Sequence, residues 1–276
     1  MKKYKIGQFA KAMGVTIDFL RYYEERGLIT SLQDDKNHYH YYDFSQSLVV
    51  SRIMYLRSMG FPAKEIQRIL LNSDNMEALS LYHAQRERLR KEIAAYRYAE
   101  ETLGFFEESL MGGNRNDWYI VHQKPFYFLP HTTNEEFNTD EETMERTSEW
   151  RNAAPYTYDT DYWPARRAKK EDKLYFPIVH HGLAVDVGIA NEIGLNTEKP
   201  VILFSGGRYL EYHINTPMTE RFTPNNHLTQ MSYRKVFELI EEKQMKITGD
   251  MFVRFITIFC ENGIYYDHSV VYVPIE

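Results

Sequence analysis

The chain has 276 residues, room for two domains with separate cores. With 43% hydrophobic and 26% charged residues it reads as globular rather than disordered, and no apolar run reaches the length of a membrane span. Its one cysteine, Cys260, excludes an internal disulfide and speaks against a multi-thiolate metal site. The net charge of −6 is unevenly spread: residues 1–71 hold 11 Lys/Arg against 7 Asp/Glu, residues 72–111 hold 5 against 8, and residues 112–276 hold 17 against 24. A basic end on an acidic body suits an electrostatic footprint on nucleic acid confined to one end. Met-Lys-Lys leads into a polar helix without a signal-peptide core, so the expected home is the cytoplasm.

Ile6, Phe9, Ala10 and Met13 fall on one apolar helical face, which Gly14 ends. Thr16 is a good N-cap for a second helix, with Asp18 in its first turn to suit the helix dipole. That helix turns Phe19, Leu20 and Tyr23 inward and leaves Thr16, Arg21 and Tyr22 outside, the geometry that sets a helix into a DNA major groove. Leu28 to Phe44 has no helical period and reads as a hairpin wing with its turn near Asp34 to Asn37, followed by a tyrosine cluster. The alternatives for Tyr41 and Tyr42 are phosphate contact or packing of the wing onto the helices. Ser45 is the expected cap of a third helix, with Phe44 as its staple residue, and Pro62 opens a fourth.

From residue 76 to about 110 there is no proline and only Gly104. Tyr82, Leu89, Tyr96 and Leu103 recur every seven residues, with Ile93 in one companion position. So narrow an apolar stripe on so long a helix needs a partner, either a second copy or the rest of its own chain. MGGNRND, Met111 to Asp117, reads as a turn-forming linker. Beyond it, strands are expected at Trp118 to Leu129, Lys173 to Val187 and Pro200 to Ile214. Helices are expected at Glu136 to Ala153, with Met144, Thr147 and Trp150 along one side, and at Leu228 to Gln244. Met251 to Cys260 and Tyr265 to Pro274 form a closing hairpin with Asn262 and Gly263 in its turn. Two copies of a strand-helix-strand-strand pattern predict an α+β domain with a curved antiparallel sheet.

The blocks IGQFAKAMGV, LRYYEERGLI, NHYHYYDF and YLRSMGFPAKEI, in this order over residues 4–70 and followed by the heptad helix, resemble the signature of MerR-type transcription regulators. The resemblance implies a winged helix-turn-helix at 1–75, with wing contacts at Tyr39 and His40 and a second wing gripping the backbone through Arg57 and Lys64. Relatives usually carry arginine where this chain has His40, which weakens that contact. It further implies an antiparallel coiled coil at 76–111 joining a homodimer. The dimer would act on double-stranded promoter DNA together with RNA polymerase.

The C-terminal half, 118–276 after a linker at 112–117, resembles the GyrI-like effector-binding domain of multidrug-responsive regulators. The resemblance rests on GGRYLEYHIN, Gly206 to Asn215, and the order of elements. It implies a hydrophobic small-molecule effector bound between the two repeats, no cofactor and no enzymatic activity. Alternative readings are a DNA-tethered hydrolase of the bound compound, or a constitutive repressor whose C-terminal domain binds a protein. YTYDTDYW supplies rings at Tyr156, Tyr158, Tyr162 and Trp163 and acids at Asp159 and Asp161 for a cationic ligand. Tyr212, Phe252 and Tyr266 are further pocket candidates from strands. Relatives that bind lipophilic cations commonly bury a glutamate on the strand that here reads MFVRFITI. With no acid there, either Glu145, Glu149, Asp159 or Asp161 substitutes, or Arg254 selects a neutral or anionic ligand; solvent is the default place for Arg254. The pair His180 and His181 faces opposite sides of a strand and suggests no metal.

Overall fold

A computed structural model describes residues 2–33, 40–115, 117–134, 136–167, 174–175, 178–218 and 233–276. The chain divides into two compact units, Met1–Ala94 and Ala95–Glu276. The expected wing turn at Asp34 to Asn37 and Tyr39 lie outside the described residues.

In the first unit, β1 (Tyr4–Lys5) runs into α1 (Ile6–Met13), which ends at Gly14 in the left-handed conformation, φ 68°. α2 (Ile17–Glu24) begins as its cap predicts: Thr16 Oγ1 accepts the Phe19 N–H at 3.0 Å. β2 (Leu32–Gln33) and β3 (His40–Tyr42) join β1 in a small antiparallel sheet with β3 central. Tyr42 is fully buried, its ring stacked on Phe9 at 5.0 Å and its hydroxyl donating to Glu24 at 2.9 Å, so packing is its role. α3 (Phe44–Ser58) starts two residues earlier than expected. Asp43, not Ser45, is its cap, accepting the Ser45 N–H at 2.8 Å, and Phe44 is 69% exposed, so it staples nothing. α4 (Ala63–Gln67) follows Pro62 and opens into one π-helical turn, Arg68–Asn72. Leu20, Tyr23, Ile29, Val50, Ile53, Leu56 and Ile66 fill the core between these elements.

α5 (Asn75–Arg115) is 41 residues long, its start fixed by Asp74 accepting the Glu77 N–H at 2.8 Å. It continues through Met111–Arg115, most of the segment read as a linker.

The second unit is built on one antiparallel sheet. Its strands are β4 (Trp118–Gln123), β5 (Phe126–Thr133), β6 (Glu136–Phe137), β7 (Tyr158–Trp163), then after a small ribbon of β8 (Arg166–Arg167) and β9 (Leu174–Tyr175), β10 (His180–Asp186), β11 (Ile202–Phe204), β12 (Gly207–Pro217), β13 (Met251–Glu261) and β14 (Ile264–Pro274). The helices are α6 (Glu141–Asn152), α7 (Val187–Ile193) and α8 (Arg234–Glu242). The sheet order is β11-β5-β10-β7-β13-β14-β12-β4, with β6 on β5. Two strand-helix-strand-strand repeats are present, β5-α6-β7-β10 and β12-α8-β13-β14, and they meet at β7 and β13.

Each repeat is preceded by a short strand that crosses over to the other: β4 pairs with β12 and β11 pairs with β5. This exchange splits the two long strands expected at Trp118 to Leu129 and Pro200 to Ile214. The crossing links touch at Gly206, where a Cβ would stand 2.4 Å from the Gln123 carbonyl oxygen.

One face of the sheet is covered by α6, α7 and α8 through Trp150, Ala190, Val236 and Ile240. The buried side of α6 passes through Thr143, Arg146 and Trp150, while Met144 is 52% exposed. The other face carries Phe126, Phe128, Phe252 and Tyr272, against which α5 lays Phe105 and Phe106. YTYDTDYW is the largest departure from expectation: it is not a ligand loop but contains the central strand β7, hydrogen-bonded on both sides.

Candidate functional site

In the first unit, Thr16, Phe19, Tyr22, Arg57 and Pro62 line one concavity of about 550 Å³ between α2 and the α3–α4 corner. Thr16, Arg21, Tyr22, Arg57 and Lys64 are all exposed, and Lys64 lies outside this lining. Arg57 sits 5.7 Å from the Phe19 ring and bonds the Tyr23 hydroxyl, tying α3 to α2. Arg26 stacks on Tyr22 at 3.5 Å and donates to the Tyr22 carbonyl at 3.0 Å, a cation beside the outward face of α2 that the sequence reading missed. His40 is exposed, yet its Nδ1 is engaged by Ser31 and lies 3.7 Å from Glu24.

Along α5, Tyr82, Ile93, Tyr96 and Leu103 are 41%, 50%, 75% and 61% exposed and Leu89 is half-buried. The heptad stripe is therefore left largely uncovered by its own chain.

In the second unit a cleft of about 460 Å³ opens where β7 and β13 splay apart beyond the Thr160–Arg254 pair, at the seam of the repeats. Its walls include His131, Asp159, Thr160, His181, Ile256 and Asp267. Only Asp159 of the expected ligand residues lines it. Asp161 is buried and held by His181 Nδ1, so it is not a free counter-ion. Trp163 and Tyr212 are core beneath α8, Phe252 is core on the opposite face, and Tyr266 stacks on Phe259 at 5.4 Å along the closing hairpin. Tyr162 packs against Phe204 at 4.8 Å and donates to Asp250 at 2.9 Å, and Tyr156 rests on Tyr98 at 5.1 Å. Glu145 and Glu149 are exposed on α6, Glu149 accepting the Asn196 N–H at 3.2 Å; neither lines the cleft. His180 stacks on Tyr162 at 5.5 Å while His181 bonds Asp161 on the opposite face, as strand alternation requires. Burial lowers the imidazole pKa of both His131 and His180. Among the described residues no three His, Cys, Asp or Glu side chains are grouped to hold a metal.

Arg254 does not point to open solvent. It is half-buried on the α5-covered face, its guanidinium 4.0 Å from the Tyr158 ring centroid and 4.8 Å from that of Phe105. Beside it, α5 supplies a polar contact: Ser109 Oγ lies 2.9 Å from His213 Nδ1 and 2.8 Å from His268 Nε2. His213 Nε2 is 2.9 Å from Glu211, and the Asn215 amide lies 2.6 Å from His268 Nδ1. A serine, a histidine and a carboxylate thus stand in line, which sequence spacing had not revealed. Ser109 is fully buried and bracketed by two imidazoles, so no acyl group can reach its oxygen. The chain is a fastening, not a nucleophile.

Residues 4–73 match the family described as MerR HTH family regulatory protein. That match is confined to the N-terminal region. The chain is 33% identical over 96 residues to the HTH-type transcriptional regulator SkgA of Caulobacter vibrioides, covering 35% of this chain and 37% of that one. It is 26% identical over 125 residues to heavy metal-dependent transcription regulator 2 of Rhizobium meliloti, covering 43% of this chain and 84% of that one. The chain thus spans little more than a third of the length of SkgA. A solved EcmrR–DNA complex aligns with 99% of both chains at 16% identity and a TM-score of 0.38.

Proposed function

We propose that this chain is a ligand-responsive transcription regulator acting as a homodimer. Two MerR-type domains bind a pseudo-palindromic promoter site between the −35 and −10 elements, with α2 in the major groove and Arg21, Tyr22, Arg57 and Lys64 against the DNA. The uncovered stripe Tyr82, Leu89, Ile93, Tyr96 and Leu103 pairs antiparallel with its copy. The two-repeat domain is a GyrI-like sensor of the multidrug-responsive type for a small hydrophobic molecule. The observation that carries this reading is the continuity of α5: one helix runs from the DNA-binding unit to Phe105 and Ser109, beneath the sensor sheet.

Activation follows if the effector binds the DNA-distorting conformation better than the resting one. Distorting the spacer costs on the order of a few kcal/mol, and coupling of about 1–3 kcal/mol between effector and DNA shape is ordinary. DNA selected in vitro by the protein, then footprinted and transcribed with purified RNA polymerase with and without a bound compound, tests the proposal. Ligand-dependent distortion and transcript are expected. Binding and transcript indifferent to every compound that the protein binds would leave a constitutive DNA binder instead.

A further inference from the structure

Arg254 is a half-buried cation. Among the described residues no hydrogen bond or ion pair holds its guanidinium. Its Cζ lies over the Tyr158 and Phe105 rings, 4.0 and 4.8 Å from their centroids. Its Nε is sealed from solvent with no acceptor, whereas its two terminal nitrogens are neither bonded nor sealed. A desolvated donor left unmade is costly, and the rings offset that cost only in part. What the arrangement lacks is a planar acceptor at the edge of the guanidinium.

The native acids nearby do not supply it. Asp186, on the same face, makes no ion pair with it; burial raises its carboxyl pKa against the pull of Arg254 and Lys124, so its charge is the less available. Glu211 is already taken by His213 at 2.9 Å and by the Tyr272 hydroxyl. The surroundings are otherwise aromatic: Tyr98, Phe105, Tyr158, Phe252 and Tyr272.

We infer that the sensor unit recognises an anion, a small aromatic carboxylate held through the edge of the Arg254 guanidinium, with its ring among the aromatic side chains of this face. This rests on the ligand-responsive reading above and names the chemistry of its ligand. A guanidinium pre-set against two rings loses little freedom on binding, and its fork matches a carboxylate in two parallel hydrogen bonds. A cationic compound would meet like charge at the same place. Phe105 belongs to α5, so an anion docked on Arg254 sits against the helix that continues into the DNA-binding unit.

Three compounds of nearly one shape separate the possibilities: 2-naphthoate, 2-naphthylmethanol and 2-naphthylmethylammonium, each titrated calorimetrically into the full-length protein, wild type, Arg254→Met and Arg254→Lys. Naphthoate is expected to bind wild type about tenfold or more tighter than the ammonium compound. Arg254→Met should erase that preference. Arg254→Lys, which keeps the charge and loses the fork, should retain part of it and guards against a fold defect in the methionine variant. Tighter binding of the ammonium or the alcohol, unchanged in Arg254→Met, overturns the anion assignment and leaves the ligand-responsive reading standing. No saturable binding of any of the three overturns both.

Discussion

Ser109 Oγ lies 2.8 Å from His268 Nε2, a contact between residues 159 positions apart that pins the end of α5 to the sheet. Asn215 Oδ1 accepts from His268 Nδ1–H, so the Nε2 of the neutral ring accepts the Ser109 hydroxyl, while His213 faces Glu211 through Nε2. Burial, aided by nearby His213, lowers His268 to about 4 from an ordinary 6.5. Between those values the unfolded chain binds a proton that the folded chain refuses. Stability from this site is therefore complete above about pH 6.5 and falls as pH drops, with the loss finished near pH 4.

The loss amounts to about 3 kcal/mol for a shift of this size. Urea midpoints measured from pH 7.5 to 4.5 should fall steeply in wild type and less steeply in His268→Gln. Some slope will remain, because His131 and His180 are lowered in the same direction. Equal slopes in the two proteins would remove His268 from the account.

Gly206 marks the crossing of β4 and β11 on their way to opposite repeats. A Cβ there would meet the Gln123 carbonyl at 2.4 Å and the Pro125 nitrogen at 3.0 Å, backbone atoms that cannot swing aside. Gly206→Ala should cost about 1–3 kcal/mol by overpacking. Gly188→Ala is the control: nothing lies within 4 Å, and it sits inside α7, so helix propensity should stabilise it by about 0.5–1 kcal/mol. Thermal melts of both variants decide it, and a harmless Gly206→Ala would mean that the crossing links can separate.

Local signals were legible in the sequence; long-range pairings were not. Thr16 caps α2 and Gly14 ends α1 because each acts on atoms within four residues. Asn262 and Gly263 turn the closing hairpin with φ of 51° and 79° for the same reason. The repeated strand-helix-strand-strand pattern was also readable, since each copy carries its own helix. The exchange of β4 and β11 was hidden, because a strand's partner is not written in its own alternation. YTYDTDYW misled because its aromatics and acids look like a loop; β7 is paired on both edges, which buries Thr160, Asp161 and Trp163. The cleft and the Ser109 chain join residues from distant strands, and of the expected ligand residues only Asp159 is among them.

If Arg57 and Lys64 both meet phosphate, they should differ when removed. Arg57 also braces α2 through Phe19 and the Tyr23 hydroxyl, whereas Lys64 stands exposed in the first turn of α4. Each alanine variant should lower the salt dependence of DNA binding by roughly one ion. Arg57→Ala should lose about tenfold more affinity at fixed salt, because the recognition helix loses its support as well as a contact. Fluorescence anisotropy on one selected duplex across a salt series measures both quantities. Equal affinity losses would reduce Arg57 to a simple phosphate contact.

The heptad stripe allows a test in which fold and assembly separate cleanly. Tyr96 and Leu103 are 75% and 61% exposed, so the chain itself gains little from burying them. A double change, Tyr96→Asp with Leu103→Asp, should leave the melting temperature of each unit nearly unchanged, since surface substitutions are usually within about 0.5 kcal/mol. In a dimer the same two positions meet an apolar partner, where a buried unpaired carboxylate costs several kcal/mol. Sedimentation velocity should therefore show wild type as a dimer and the double variant as a monomer at micromolar concentration. DNA binding should fall with it, because one recognition helix reaches only half of a two-fold site. A variant that still sediments as a dimer would move the assembly surface off this stripe.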